Sequence, residues 1–169
     1  MTIKQLLFAS ATICSLTSAS VLADDNSWWR DGDDYYKGLV DSSDSGFQAV
    51  IRPRSLKNEA PYVGFQLVTS HKTYCSDKGD SFHGNLTLAV NDRKVAFNTT
   101  CYNNEWLNVF PASVKSNMYI MKEFNYQRNK FVTFVMPIND SPDWVFNFPT
   151  KGFGKIYSSI DESIKEPIQ

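Results

Sequence analysis

Residues 75–101 read C-S-D-K-G-D-S-F-H-G-N-L-T-L-A-V-N-D-R-K-V-A-F-N-T-T-C, and this stretch decides the fold. Two β-rich runs, Phe82–Val90 and Lys94–Thr100, flank the turn-forming Asn91-Asp92-Arg93. Such runs around a short polar turn predict an antiparallel hairpin with a loop of about three residues. Cys75 precedes the first strand and Cys101 directly follows the second, so one disulfide is expected to clip the hairpin shut. Closing a loop of about 26 residues would stabilise the fold by roughly 3 kcal/mol, by restricting the unfolded chain.

Whether that bond forms depends on the compartment, which the N-terminus addresses. Lys4 supplies a positive start, Leu6 to Leu16 is an uncharged apolar run, and Val21-Leu22-Ala23 offers a cleavage site. These are the parts of a secretory signal over residues 1–23. The apolar run is shorter than the roughly 20 residues of a membrane span. The expected location is periplasmic or secreted, with no membrane span once the signal is removed. Removal takes Cys14 away and leaves Cys75 and Cys101 as an even pair, which export normally oxidises.

Residues 24–45 form an acidic aromatic segment ahead of a single globular domain over 46–169. Seven aspartates face only Arg30 and Lys37, while Trp28, Trp29, Tyr35 and Tyr36 interrupt the acid. This lead-in is expected to fold onto the more basic body, with one helical turn near 33–40, or to serve as a recognition arm. The net charge of −1 for the whole chain gives no footprint for nucleic acid or an anionic bilayer.

From Gly46 the pattern turns to period two. Phe47–Ile51, Tyr62–Val68, Phe131–Met136 and Asp143–Phe148 read as strands, the last with Trp144, Phe146 and Phe148 on one side. The loop R-P-R-S-L-K-N-E-A-P gathers Arg52, Arg54 and Lys57, a cluster suited to an anionic partner or to the acidic N-terminus. Trp106 stands alone among polar neighbours. Val114, Met118, Met121 and Phe124 or Asn125 stripe a helix over about 113–126, and Phe153, Ile156 or Tyr157, Ile160 and Ile164 stripe another over about 154–165. The expected fold is α+β: an antiparallel sheet of about six strands packed with two amphipathic helices and one disulfide.

The catalytic inventory is thin. His71 lies four residues before Cys75, but an oxidised cysteine is no nucleophile. Asp80, Ser81 and His83 are close in sequence, which is not triad geometry. No spacing matches a zinc or calcium motif, and no glycine-rich phosphate loop occurs. Neither cofactor nor metal is expected.

The runs L-T-L-A-V-N, K-V-A-F-N-T-T-C, F-V-T-F-V and F-N-F-P-T-K-G-F-G-K-I-Y resemble the invasion-associated-locus-B-type periplasmic proteins of bacteria. The resemblance covers about residues 84–160 and rests on Cys101, Gly152 and Phe153. It implies a place in the bacterial envelope and carries over no catalytic residue. The functional expectation is a non-enzymatic module that binds another protein, such as an inhibitor or immunity protein for an envelope-targeted enzyme or toxin. The alternatives are an envelope accessory or virulence-associated structural factor, and a small periplasmic hydrolase. The candidate contact residues are Trp28, Trp29, Tyr35, Tyr36 and Trp106, which sit outside the periodic stripes and are of the types that dominate interfaces.

Overall fold

The computed structural model describes residues 27–31, 34–42, 46–55, 60–79, 83–126, 128–137 and 142–165, with the side chains of 34–36 excepted. The expected signal over 1–23 lies outside the described residues. The class is α+β, with more elements than the sequence suggested. In chain order they are β1 (Trp29–Asp31), β2 (Asp34–Asp41), β3 (Gln48–Arg54), β4 (Tyr62–Ser70), α1 (Lys72–Lys78), β5 (His83–Val90) and β6 (Arg93–Tyr102). Then come β7 (Trp106–Pro111), α2 (Val114–Asn125), β8 (Phe131–Met136), β9 (Trp144–Pro149) and α3 (Phe153–Ser163).

All nine strands join one antiparallel sheet in the order β1-β2-β3-β4-β7-β6-β5-β8-β9. The β5–β6 hairpin forms in the expected place, but Val90 pairs with Arg93. Its loop is therefore the two residues Asn91 and Asp92, at φ 43° and 68°. Two left-handed residues match the twist of the flanking strands, and Asn and Asp tolerate that region. The disulfide Cys75–Cys101 is present, with Cα atoms 5.4 Å apart. It ties α1 to the end of β6.

Three strands and one helix went unread. The expected helical turn near 33–40 is instead β2, which pairs with β1 on one side and β3 on the other. Gly38, Leu39 and Val40 of β2 are buried, so ladder pairing and burial outweigh the acidic composition. Lys37 closes the β1–β2 turn by an ion pair with Asp31 at 2.8 Å. β7 turns Leu107 and Val109 inward and leaves Trp106 half-exposed, the alternation of a sheet with one buried face.

The core lies on the face that α2 and α3 cover. In β6, Val95, Phe97, Thr99 and Cys101 are buried while Lys94 and Ala96 are exposed. Phe65 of β4 stacks on Phe134 of β8 at 5.5 Å, and Phe148 of β9 meets Phe134 edge-on at 5.6 Å. From the helices, Phe124 and Phe153 stack at 5.1 Å. The stripe of α3 is as expected, with Phe153, Ile156 and Ile160 buried. In β9, Phe146 and Phe148 are buried but Trp144 is 48% exposed.

The stripe of α2 is rotated from the expected one. Met118 is exposed, and Asn117, Ile120, Met121 and Phe124 are buried. The polar Asn117 belongs there because the β4–β7 ladder stops at Leu67 and Val109. Beyond that point Asn117 takes the neighbour's place. Its Oδ1 accepts from the Phe65 amide at 2.8 Å, and its Nδ2 donates to the Val63 carbonyl at 2.9 Å. A side-chain amide thereby satisfies two backbone groups that would otherwise be buried unpaired.

Trp28 joins the two ends of the chain's sheet. Its backbone amide donates to the Lys151 carbonyl and its indole Nε1 to the Pro149 carbonyl, both at 2.9 Å. The ring meets Phe124 and Phe153 edge-on at 5.2 and 5.1 Å. Gly152, at φ 83°, lets α3 start against this indole, since a Cβ there would stand 3.2 Å from the Trp28 carbonyl oxygen. Among the described residues no helix is long and apolar enough to cross a membrane. Trp28→Ala should cost about 3–5 kcal/mol by the cavity it leaves, whereas Trp29→Ala should stay within about 1 kcal/mol. Urea unfolding of the two oxidised variants checks this, and equal losses would contradict the placement.

Candidate functional site

The five contact candidates do not converge. Trp28 is 4% exposed and belongs to the core, so its ring is not available to a partner. Trp29, one residue on, is on the sheet face away from the helices, where it pairs with Leu39 and is 37% exposed. Tyr35 and Tyr36 lie in β2, and their side chains fall outside the described set. Trp106 opens β7 on the same face as Trp29. β2, β3 and β4 stand between β1 and β7, and through the ladders Trp29 lies level with Gln66 while Trp106 pairs with Ser70, so the two tryptophans do not adjoin.

Trp106 is nevertheless not alone. It pairs directly across the β6–β7 hairpin with Tyr102, and both side chains project from the face away from the helices. Tyr102 is 61% exposed and Trp106 41%. Directly opposed residues of an antiparallel pair have Cβ atoms about 4.5–5.5 Å apart, so the two exposed aromatic side chains leave the sheet from adjacent positions. The sequence signal was the turn Asn103-Asn104 between two aromatics. It was obscured because β7 was not read as a strand.

The tip carrying this pair is held from several sides. Asn103 and Asn104 both take φ 51°, which Asn accepts more readily than most residues. The Glu105 carbonyl accepts from the His71 amide at 2.7 Å, and the Glu105 carboxylate accepts from Ser70 Oγ at 3.1 Å. Lys72 stands 3.6 Å from the same carboxylate. Cys101, next to Tyr102, is buried and bonded to Cys75 in α1. The aromatic pair is thus presented on a braced hairpin, with little ordering left for binding to impose.

The chemistry the sequence left open is not assembled among the described residues. His71 caps α1, its Nδ1 accepting from the Tyr74 amide at 3.3 Å, and its ring lies against Tyr74. His83 is on β5, opposite Thr100. His71 does share a cavity of about 390 Å³ with Asp143, Trp144 and Phe146. Among the described residues the one hydroxyl lining it, of Thr69, donates to the Gly46 carbonyl at 2.9 Å, and no described nucleophile pairs with the imidazole. No group of three or more metal-ligating side chains occurs among the described residues.

Comparison of the chain with known protein families, with curated proteins and with solved structures finds no match. The bracing yields its own prediction. Replacing both cysteines by alanine should cost about 3 kcal/mol in urea unfolding. It should also raise amide hydrogen exchange at residues 102–106 more than at the β8–β9 ladder. An unchanged exchange rate at the tip would show that the disulfide does not brace it.

Proposed function

We propose that this chain is an exported protein-binding module, an inhibitor or immunity protein acting on an envelope-targeted enzyme or toxin. The observation that carries the reading is the exposed Tyr102–Trp106 pair on its braced hairpin. Two amphipathic rings held in register offer large contact area at little entropic cost. Glu105, Lys72 and Ser70 supply polar neighbours around them, the apolar centre with polar rim that protein interfaces favour. The proposed mechanism is occlusion, in which the tip enters and fills a partner's cleft. The disulfide fits an oxidising compartment.

The test uses oxidised protein, wild type and the Tyr102→Ala/Trp106→Ala variant, immobilised against the producing cell's envelope and secreted fractions. Wild type should retain one stoichiometric partner, identified by mass spectrometry. The double variant should bind it more weakly by about 2 kcal/mol or more, roughly thirtyfold in Kd. Trp29→Ala should bind like wild type. Equal retention by the double variant would overturn the assignment of the surface, and an empty wild-type lane would count against the binding function itself.

A further inference from the structure

At the other end of β7 the separation of β4 from β7 opens a cleft. β4 from Tyr62 to Gln66 stays paired with β3, while Phe110 and Pro111 stay paired with β6. Asn117 seals the gap on the core side. On the opposite side a cavity of about 370 Å³ remains, lined by Arg52, Arg54, Asn98, Phe110 and Ser113 among others.

Its charge is one-sided. Among the described residues two arginines line it, and no aspartate or glutamate does. The Arg54 stem lies across Gly64, where an added Cβ would come within 2.5 Å of its Cδ. The guanidinium donates through Nη2 to Gln66 Oε1 and stands 5.3 Å from the centre of the Phe110 ring. Its Nε is buried without a hydrogen-bond partner, and no ion pair to Arg54 occurs among the described residues. Burial, and then the neighbouring Arg52 charge, hold the Arg54 pKa below the ordinary arginine value. A half-buried cation set beside a second cation is a costly arrangement without an anion nearby.

The remaining walls narrow the ligand. Pro53, Phe110 and Pro111 are apolar, and Ser113, the N-cap of α2, brings a helix start with no acidic residue in its first turn to the same opening. We infer that this cleft binds a carboxylate carried on an apolar or aromatic body, with Arg54 and Arg52 facing the anionic head and Phe110 the body. Arginine suits a planar carboxylate because its forked donors match the two oxygens. Gly64 is the positioning residue, since only the absence of a side chain there lets the Arg54 stem lie flat.

The test is an NMR titration of the oxidised protein, following backbone amides and arginine Nε–H resonances. Three probes are compared: 3-phenylpropionate, acetyl-Ala-Phe as the free acid, and acetyl-Ala-Phe amide. The two acids should give saturable shifts confined to residues 52–55, 62–66 and 110–114, and the amide should give none. Saturation by the peptide acid alone would place the carboxylate on a polypeptide, and saturation by both acids would extend the site to free organic acids. Arg54→Met, which keeps the stem and removes the charge, should weaken binding at least tenfold while leaving the spectrum of β5 and β6 unchanged. Gly64→Ala should weaken it several-fold with both arginines intact. Non-saturating shifts, equal binding of the amide, or undiminished binding by Arg54→Met would overturn the inference. So would saturation by inorganic phosphate with neither acid binding.

Discussion

The fold depends on how a sheet of nine strands is held around two helices, and Trp28 is the residue that holds it. The first strand and the last are not hydrogen-bonded neighbours, so the ladder alone does not bring them together. Trp28 does so with two hydrogen bonds at the end of β9 and just beyond it, and with a ring set edge-on against the stacked Phe124 and Phe153. Phe47, just before β3, meets Phe146 of β9 at 4.5 Å, a second contact across the same gap. Phe65, Phe97, Phe124, Phe134, Phe148 and Phe153 are all fully buried.

Curling the sheet around α2 and α3 has a cost where the strands cannot follow. β4 and β7 part company after four paired positions, and a lone asparagine from α2 repairs the core side of the break. The other side is the arginine-lined cleft. Both proposed surfaces therefore follow from β7, with the exposed aromatic pair where it starts and the cleft where it leaves β4.

Much of this was legible in the sequence, for identifiable reasons. The β5–β6 hairpin announced itself by Leu86, Leu88 and Val90 against Val95 and Phe97, with Asn91-Asp92 between. The disulfide followed from an even cysteine pair and the character of the N-terminus. The three missed strands were hidden by composition: β2 by its acid, β1 by its brevity, and β7 by its exposed Trp106 and terminal Pro111. α1 buries only Cys75, so it has no apolar stripe to read. Asn117 was unreadable because its value lies in two backbone groups 52 and 54 residues away. Trp28 and Trp29 look alike in sequence, and only the chain's entry into β1 sends the first inward, just before the strand, and the second out. The same gap concealed Tyr102, whose significance comes from its cross-strand neighbour.

The proposed partner-binding surface is the β6–β7 tip. The most direct measurement places a photo-reactive benzoyl-phenylalanine at position 102 and, separately, at the exposed Val145 of β9, and irradiates the producing cells. One discrete cross-linked protein is expected from position 102 and none from position 145. The same adduct from position 145 with nothing at 102 would place the contact elsewhere and contradict the proposal.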